Sequence, residues 1–76
     1  MNIFICDDDK DVLNSISSML KNDLSNEINI YTYSDYKKFV NDICSKKVDI
    51  LIMDIVFDDI SGIDIVKKYA DYLENT

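Results

Sequence analysis

The chain has 76 residues, 47% of them hydrophobic, with 15 acidic against 8 basic side chains and a net charge of −7. That length allows one domain with a small core and marginal stability, and the charge excludes a chain that itself grips a nucleic-acid backbone. With no histidine the usual zinc spacings are excluded; no export signal or long apolar span is visible, so no membrane anchor is expected and the cytoplasm is the expected compartment.

The first predicted element is a strand, Asn2 to Cys6, a short continuous apolar run of the kind covered on both faces. From about Lys10 to Leu24, Val12, Leu13, Ile16, Met19, Leu20 and Leu24 recur at threes and fours, which predicts an amphipathic helix. Ile28 to Tyr33 mixes β-branched and aromatic residues with partial alternation and predicts an edge strand. Ser34 is the expected N-cap of a second helix carrying Tyr36, Phe39, Val40 and Ile43 and ending near Ser45. The third strand is read over Val48–Phe57, "VDILIMDIVF", with Asp49 near its start and Asp54 in its middle. A last helix is expected from Gly62 to Leu73, its apolar side formed by Ile63, Ile65, Val66, Tyr69, Ala70 and Leu73. Cys6 and Cys44 lie in apolar stretches and are expected as reduced core residues. Tyr31, Tyr33, Tyr36, Tyr69 and Tyr72 are expected to pack in or around the core, and order is expected everywhere before the tail after Leu73.

The order βαβαβα predicts an α/β fold with a parallel sheet, right-handed crossovers and helices on both faces. Ligands of such sheets sit outside the carboxyl ends of the strands, where Asp7, Asp8 and Asp54 all fall. Three consecutive aspartates, Asp7 to Asp9, repel one another unless something positive lies among them, although a solvated helix N-terminus also tolerates them. Oxygen ligands without histidine or cysteine favour a hard cation, and two or three carboxylates with water suit Mg²⁺. Such an ion would also let the Asp54 carboxylate attack a phosphoryl group and form an acyl phosphate.

These residues resemble the amino-terminal part of a response-regulator receiver domain: "IFICDDD" is similar to its first strand and acidic pair, and "DILIMDIVFDDISGIDIV" to its phosphoacceptor strand and following loop. The resemblance covers the whole chain and implies a flavodoxin-like fold with strand order 2-1-3. It implies that Asp54 is the phosphoacceptor, that Asp7 and Asp8 form the acidic pair, and that Asp8, Asp54 and the backbone carbonyl of Val56 hold Mg²⁺. Gly62, eight residues past Asp54, falls where receivers begin the third helical region. A histidine kinase as phosphodonor and a separate output domain are implied too. The phrase "MDIVFDDISGID" is most similar to LytTR-class receivers, whose full-length members regulate transcription.

Two departures qualify the resemblance. Where receivers commonly carry a proline after the phosphoacceptor, this chain has Asp58, followed by Asp59, and both are read as solvated loop residues rather than ligands. The sequence also ends 22 residues after Asp54, so residues 1–76 are expected to be a partial receiver without its fourth and fifth strands and the hydroxyl and lysine they carry. Lys67 and Lys68, on the last helix, are poor stand-ins for that lysine, and phosphorylation in such a fragment is expected to be impaired. A third strand left at the sheet edge is expected to pair with that of a second copy in a symmetric dimer.

Other functions fit less of the pattern. Asp7 and Asp9 have the spacing of a haloacid-dehalogenase-like phosphatase, but Asp11 stands where that motif wants threonine or valine. An EF-hand loop through Asp7, Asp9 and Asp11 fails because Val12 occupies the turn glycine's place. An interaction module with the receiver fold and no phosphotransfer is the remaining alternative.

Overall fold

The computed structural model describes residues 1–23, 27–74 and 76. β1 (Asn2–Cys6), β2 (Asn29–Tyr33) and β3 (Ile50–Met53) form a parallel sheet in the order β2-β1-β3. β1 is central because it is apolar on both faces: Ile3, Phe4, Ile5 and Cys6 are all buried. Its alternation divides the core in two. Ile3 and Ile5 meet Leu13, Ile16 and Leu20 of α1 (Lys10–Asp23), while Phe4 and Cys6 face the opposite layer.

That opposite layer is built from α2 (Tyr36–Ile43), the short antiparallel strands β4 (Val56–Phe57) and β5 (Ile60–Ser61), α3 (Gly62–Lys68) and a 3₁₀ turn, Ala70–Leu73. Phe39 is its hub: the rings of Phe4, Tyr33, Phe57 and Tyr69 stand 5.9–6.4 Å from it, all edge-on. At the amino ends of the strands, the Asn2 N–H donates to Asp49 Oδ2 (2.7 Å) and the Asp49 N–H to the Asn2 carbonyl (3.0 Å). Asp49 therefore closes the end of the sheet away from the acidic rim.

The expected α/β architecture and strand order are those observed, with several local corrections. Leu24, the expected end of the first helix, lies outside the described residues. The N-cap of α2 is Asp35, not Ser34; its Oδ1 accepts from the Lys38 N–H at 2.9 Å. Asp35 has the extended backbone of a cap, and its charge suits the positive end of the helix. The helix itself stops at Ile43, and Cys44 just beyond it is exposed rather than in the core. β3 ends at Met53, so Asp54 lies at the strand's end and not in its middle, and residues Val56–Ser61 turn back as a hairpin. The last helix is broken at Tyr69, where the backbone leaves the helical region. Beyond Leu73 the Thr76 hydroxyl donates to the Val48 carbonyl (2.7 Å), anchoring a tail that was expected to be loose. Tyr72 lies largely exposed beside the tyrosines that do pack.

Candidate functional site

The parallel register pairs Cys6 with Met53, and the next residues of the two strands are Asp7 and Asp54. The ladder continues one step further, because the Asp54 N–H donates to the Cys6 carbonyl (3.0 Å) and the Asp7 N–H to the Tyr33 carbonyl (3.1 Å). The sheet thus delivers both aspartates to the same carboxyl-terminal rim. Both are half-buried, whereas Asp8 is exposed.

The three leading aspartates have different duties. Asp9 caps α1: its Oδ1 accepts from the N–H groups of Asp11 (2.9 Å) and Val12 (3.4 Å). Asp7 Oδ1 accepts the Asp9 N–H (2.9 Å), a local turn that brings the chain from strand to helix. Asp8 reaches in the other direction, and its Oδ1 accepts the Asp58 N–H at 2.6 Å.

The segment after β3 is held from below by Gly62. Its N–H donates to the Ile55 carbonyl (2.7 Å), and a Cβ on it would stand 2.2 Å from the Asp54 carbonyl oxygen. The amino end of α3 can approach the Asp54 backbone this closely only with glycine there. Beside Asp54 lies an open groove of about 390 Å³ lined by Met53, Ile55, Ile63, Val66 and Lys67. Among the described residues no ion pair joins Lys67 to Asp54.

Asp58 and Asp59 are exposed, as expected of a solvated loop, but they sit in a tight turn. Asp58 and Asp59 both have positive φ, 54° and 63°, and form the two-residue turn between β4 and β5. Such a turn needs left-handed backbone at both positions, which Asp tolerates better than most residues. Asp58 is also bonded on two sides: besides the N–H given to Asp8, its Oδ2 accepts the Tyr36 N–H at 2.9 Å. The sequence signal was present in "VFDDIS", two acids between Val56-Phe57 and Ile60, a hairpin pattern that the solvated-loop reading did not resolve into a turn.

The profile of the response regulator receiver domain matches residues 3–74. The chain belongs to that family. Receivers are phosphoacceptor modules of two-component response regulators, and the observed 2-1-3 parallel sheet is the arrangement expected of one. No curated protein and no solved structure matches the chain.

The receiver family implies Mg²⁺, and the donors at the rim suit it in type: carboxylates and carbonyls only, with Cys6 buried and turned toward the aromatic core. Among the described residues no three acidic or cysteine side chains already converge as a ready-made metal cluster. Val56 begins β4, two residues past Asp54. Among the described residues no helix is long and apolar enough to cross a membrane.

Proposed function

We propose that Asp54 is the phosphoacceptor of this receiver, that the chain acts in the cytoplasm, and that a histidine kinase is its donor. One observation carries the reading: Asp54 directly follows β3, hydrogen-bonded to β1 through the Cys6 carbonyl, in lateral register with Asp7 and with its backbone locked by Gly62. A fixed backbone holds the Asp54 Cα at the rim beside Asp7, which places the carboxylate at the carboxyl end of the sheet for attack on a phosphoryl group. A carboxylate oxygen of Asp54 forms the new bond to phosphorus as the donor's P–N bond breaks, and the imidazole leaves with a proton. The product is an acyl phosphate.

Asp7, Asp8, Asp54 and the Val56 carbonyl would hold Mg²⁺, which when bound supplies positive charge against the carboxylates and the phosphoryl oxygens. The chain's own contribution is to bring Asp7 and Asp54 to one rim and to anchor Asp8 through Asp58. In the intact response regulator the acyl phosphate shifts a conformational equilibrium that controls an output domain, which the LytTR-like loop suggests is DNA-binding and regulates transcription.

Intact-mass spectrometry after incubation with a small-molecule acyl phosphate and Mg²⁺ tests this. One phosphoryl adduct on the parent chain and none on Asp54→Ala supports the assignment. An adduct of equal yield on Asp54→Ala overturns it.

The free edge of β3 favours a second reading, an interaction module. Among the described residues β3 pairs with β1 alone, and apolar side chains are exposed to either side: Ile50 and Ile52 on one face, Ile55 (77% exposed) and Ile63 (62%) on the other. Open strand edges with apolar flanks recruit further strands. We infer a symmetric dimer in which two β3 edges pair antiparallel, extending the sheet across a twofold axis. Light scattering at high micromolar concentration reports it, and a monomer there refutes it. Partner binding that survives in Asp54→Ala would mark a module independent of phosphorylation.

A further inference from the structure

Asp8 is exposed, and an exposed aspartate ordinarily samples several rotamers, so a cation that binds it must also order it. Here that ordering is already made, because Asp8 Oδ1 is held by the Asp58 N–H at 2.6 Å. Asp8 Oδ2 has no hydrogen-bond partner among the described residues and stays available. The N–H that holds Asp8 belongs to a residue fixed on three other counts. Its φ of 54° lies in the left-handed turn of the β4–β5 hairpin, the preceding Phe57 is fully buried against Phe39, and its own Oδ2 accepts the Tyr36 N–H.

Tyr36 is the first residue of α2, and its N–H is one of the donors that a helix start leaves without an internal partner. Asp35, the N-cap, satisfies the Lys38 N–H locally, whereas the Tyr36 N–H is satisfied from a different element, by Asp58. A continuous chain of two hydrogen bonds therefore runs from the acidic rim to the start of α2: Asp8 to Asp58, and Asp58 to Tyr36. Proline, the common receiver residue at this place, could form neither bond, since it has no N–H, no carboxylate and a φ fixed near −65°.

We propose that Asp58 is a positioning residue for the cation site, its N–H presenting Asp8 and its carboxylate coupling the state of Asp8 to the amino terminus of α2. The proposal rests on the assignment of Asp8 as a ligand of a divalent cation. It adds a route by which occupancy of the rim reaches a helix, and it makes the acidic loop a working part of the site.

Amide resonances followed during titration with Mg²⁺ alone test it in the parent chain and in Asp58→Asn, Asp58→Gly and Asp58→Pro. In the parent, the amides of Asp8, Asp58 and Tyr36 move together with one apparent affinity. Asp58→Asn keeps the N–H, the left-handed backbone and an acceptor oxygen, and it retains this linked response. Asp58→Gly keeps the N–H but has no acceptor, so it binds Mg²⁺ more tightly than Asp58→Pro while the Tyr36 amide ceases to respond. Asp58→Pro loses the N–H and weakens Mg²⁺ about tenfold, the scale of losing a group that orients a metal ligand.

Equal Mg²⁺ affinities in Asp58→Pro and Asp58→Gly, or a Tyr36 response in Asp58→Gly as large as the parent's, overturn the role of Asp58 and leave the cation site standing. A parent chain in which Mg²⁺ moves neither Asp8 nor Asp54 overturns the cation site itself, and the proposal with it. Should Asp58→Pro fail to fold by circular dichroism, the contrast between Asp58→Gly and Asp58→Asn decides.

Discussion

Gly62 and Asp54 are in backbone contact: a Cβ at position 62 would lie 2.2 Å from the Asp54 carbonyl oxygen and 3.0 Å from Met53 Cγ. The first of these is a contact with backbone, which cannot swing aside as a side chain does. Gly62→Ala must therefore push α3 away from the end of β3. Overpacking of this kind costs about 1–3 kcal/mol. Urea unfolding is expected to show a lowered midpoint, and the Asp54 and Ile55 amides should shift most, since Gly62 also donates to the Ile55 carbonyl.

Tyr33 and Asp42 tie β2 to α2, with the Tyr33 hydroxyl donating to Asp42 Oδ2 at 2.6 Å. That bond, with Lys46 at 3.3 Å, holds the Asp42 carboxyl below its ordinary value of 3.8, and burial together with the same bond pushes the Tyr33 hydroxyl far up. A carboxyl depressed in the folded state stabilises the fold above its unfolded value and loses that contribution as pH falls through the folded one. Tyr33→Phe should cost about 1 kcal/mol near neutral pH. The deficit should shrink as the pH falls below 3.8 and through the lower folded value, where Asp42 protonates in the parent as well. Urea titrations of parent and variant at the two pH values measure the difference.

The sheet was legible in the sequence because β1 and the start of β3 are uninterrupted apolar runs, and such runs belong to strands covered on both faces. The reading of Val48–Phe57 as one strand failed for a related reason. Hydrophobicity does not distinguish a strand that continues from one that turns, and Val56 and Phe57 are apolar because Phe57 folds back into the core as part of a hairpin. Ser34 and Asp35 are both good caps in isolation. The choice between them depends on where the backbone leaves the extended region, a tertiary matter that their identities do not carry. Asp7, Asp8 and Asp54 could be placed at one rim from topology alone, whereas the bond between Asp8 and Asp58 spans 50 residues and had no local signal.

Cys6 and Cys44 should differ sharply toward alkylation. Cys6 is buried in the aromatic core, and its thiol is pushed up to about 12, while Cys44 is exposed at the end of α2. The thiolate is the reactive form, so Cys6 is protected both by access and by ionisation. Mass spectrometry after brief maleimide treatment is expected to show modification at Cys44 alone, with Cys6 following only in denaturant. Rapid labelling of Cys6 in the native chain would show that the layer over β1 opens readily.

The aromatic cluster sets how much damage the fold can absorb. Phe39 has no exposed surface and is ringed edge-on by Phe4, Tyr33, Phe57 and Tyr69, so it joins α2 to the sheet, the hairpin and the end of α3 at once. Removing a buried phenyl ring costs about 3–5 kcal/mol, and the surrounding shell cannot collapse onto the gap without moving several elements. A domain of 76 residues has only about 5 kcal/mol in reserve. Phe39→Ala is thus expected to leave the chain largely unfolded at ambient temperature, seen as lost amide dispersion. Phe39→Leu keeps most of the volume without the edge-on contacts, and it should remain folded with a lower thermal midpoint. Because Phe57 packs on Phe39 and Asp58 follows it in the hairpin turn, Phe39→Leu should also weaken the bond to Asp8, so that the Asp58 amide exchanges faster with solvent than in the parent.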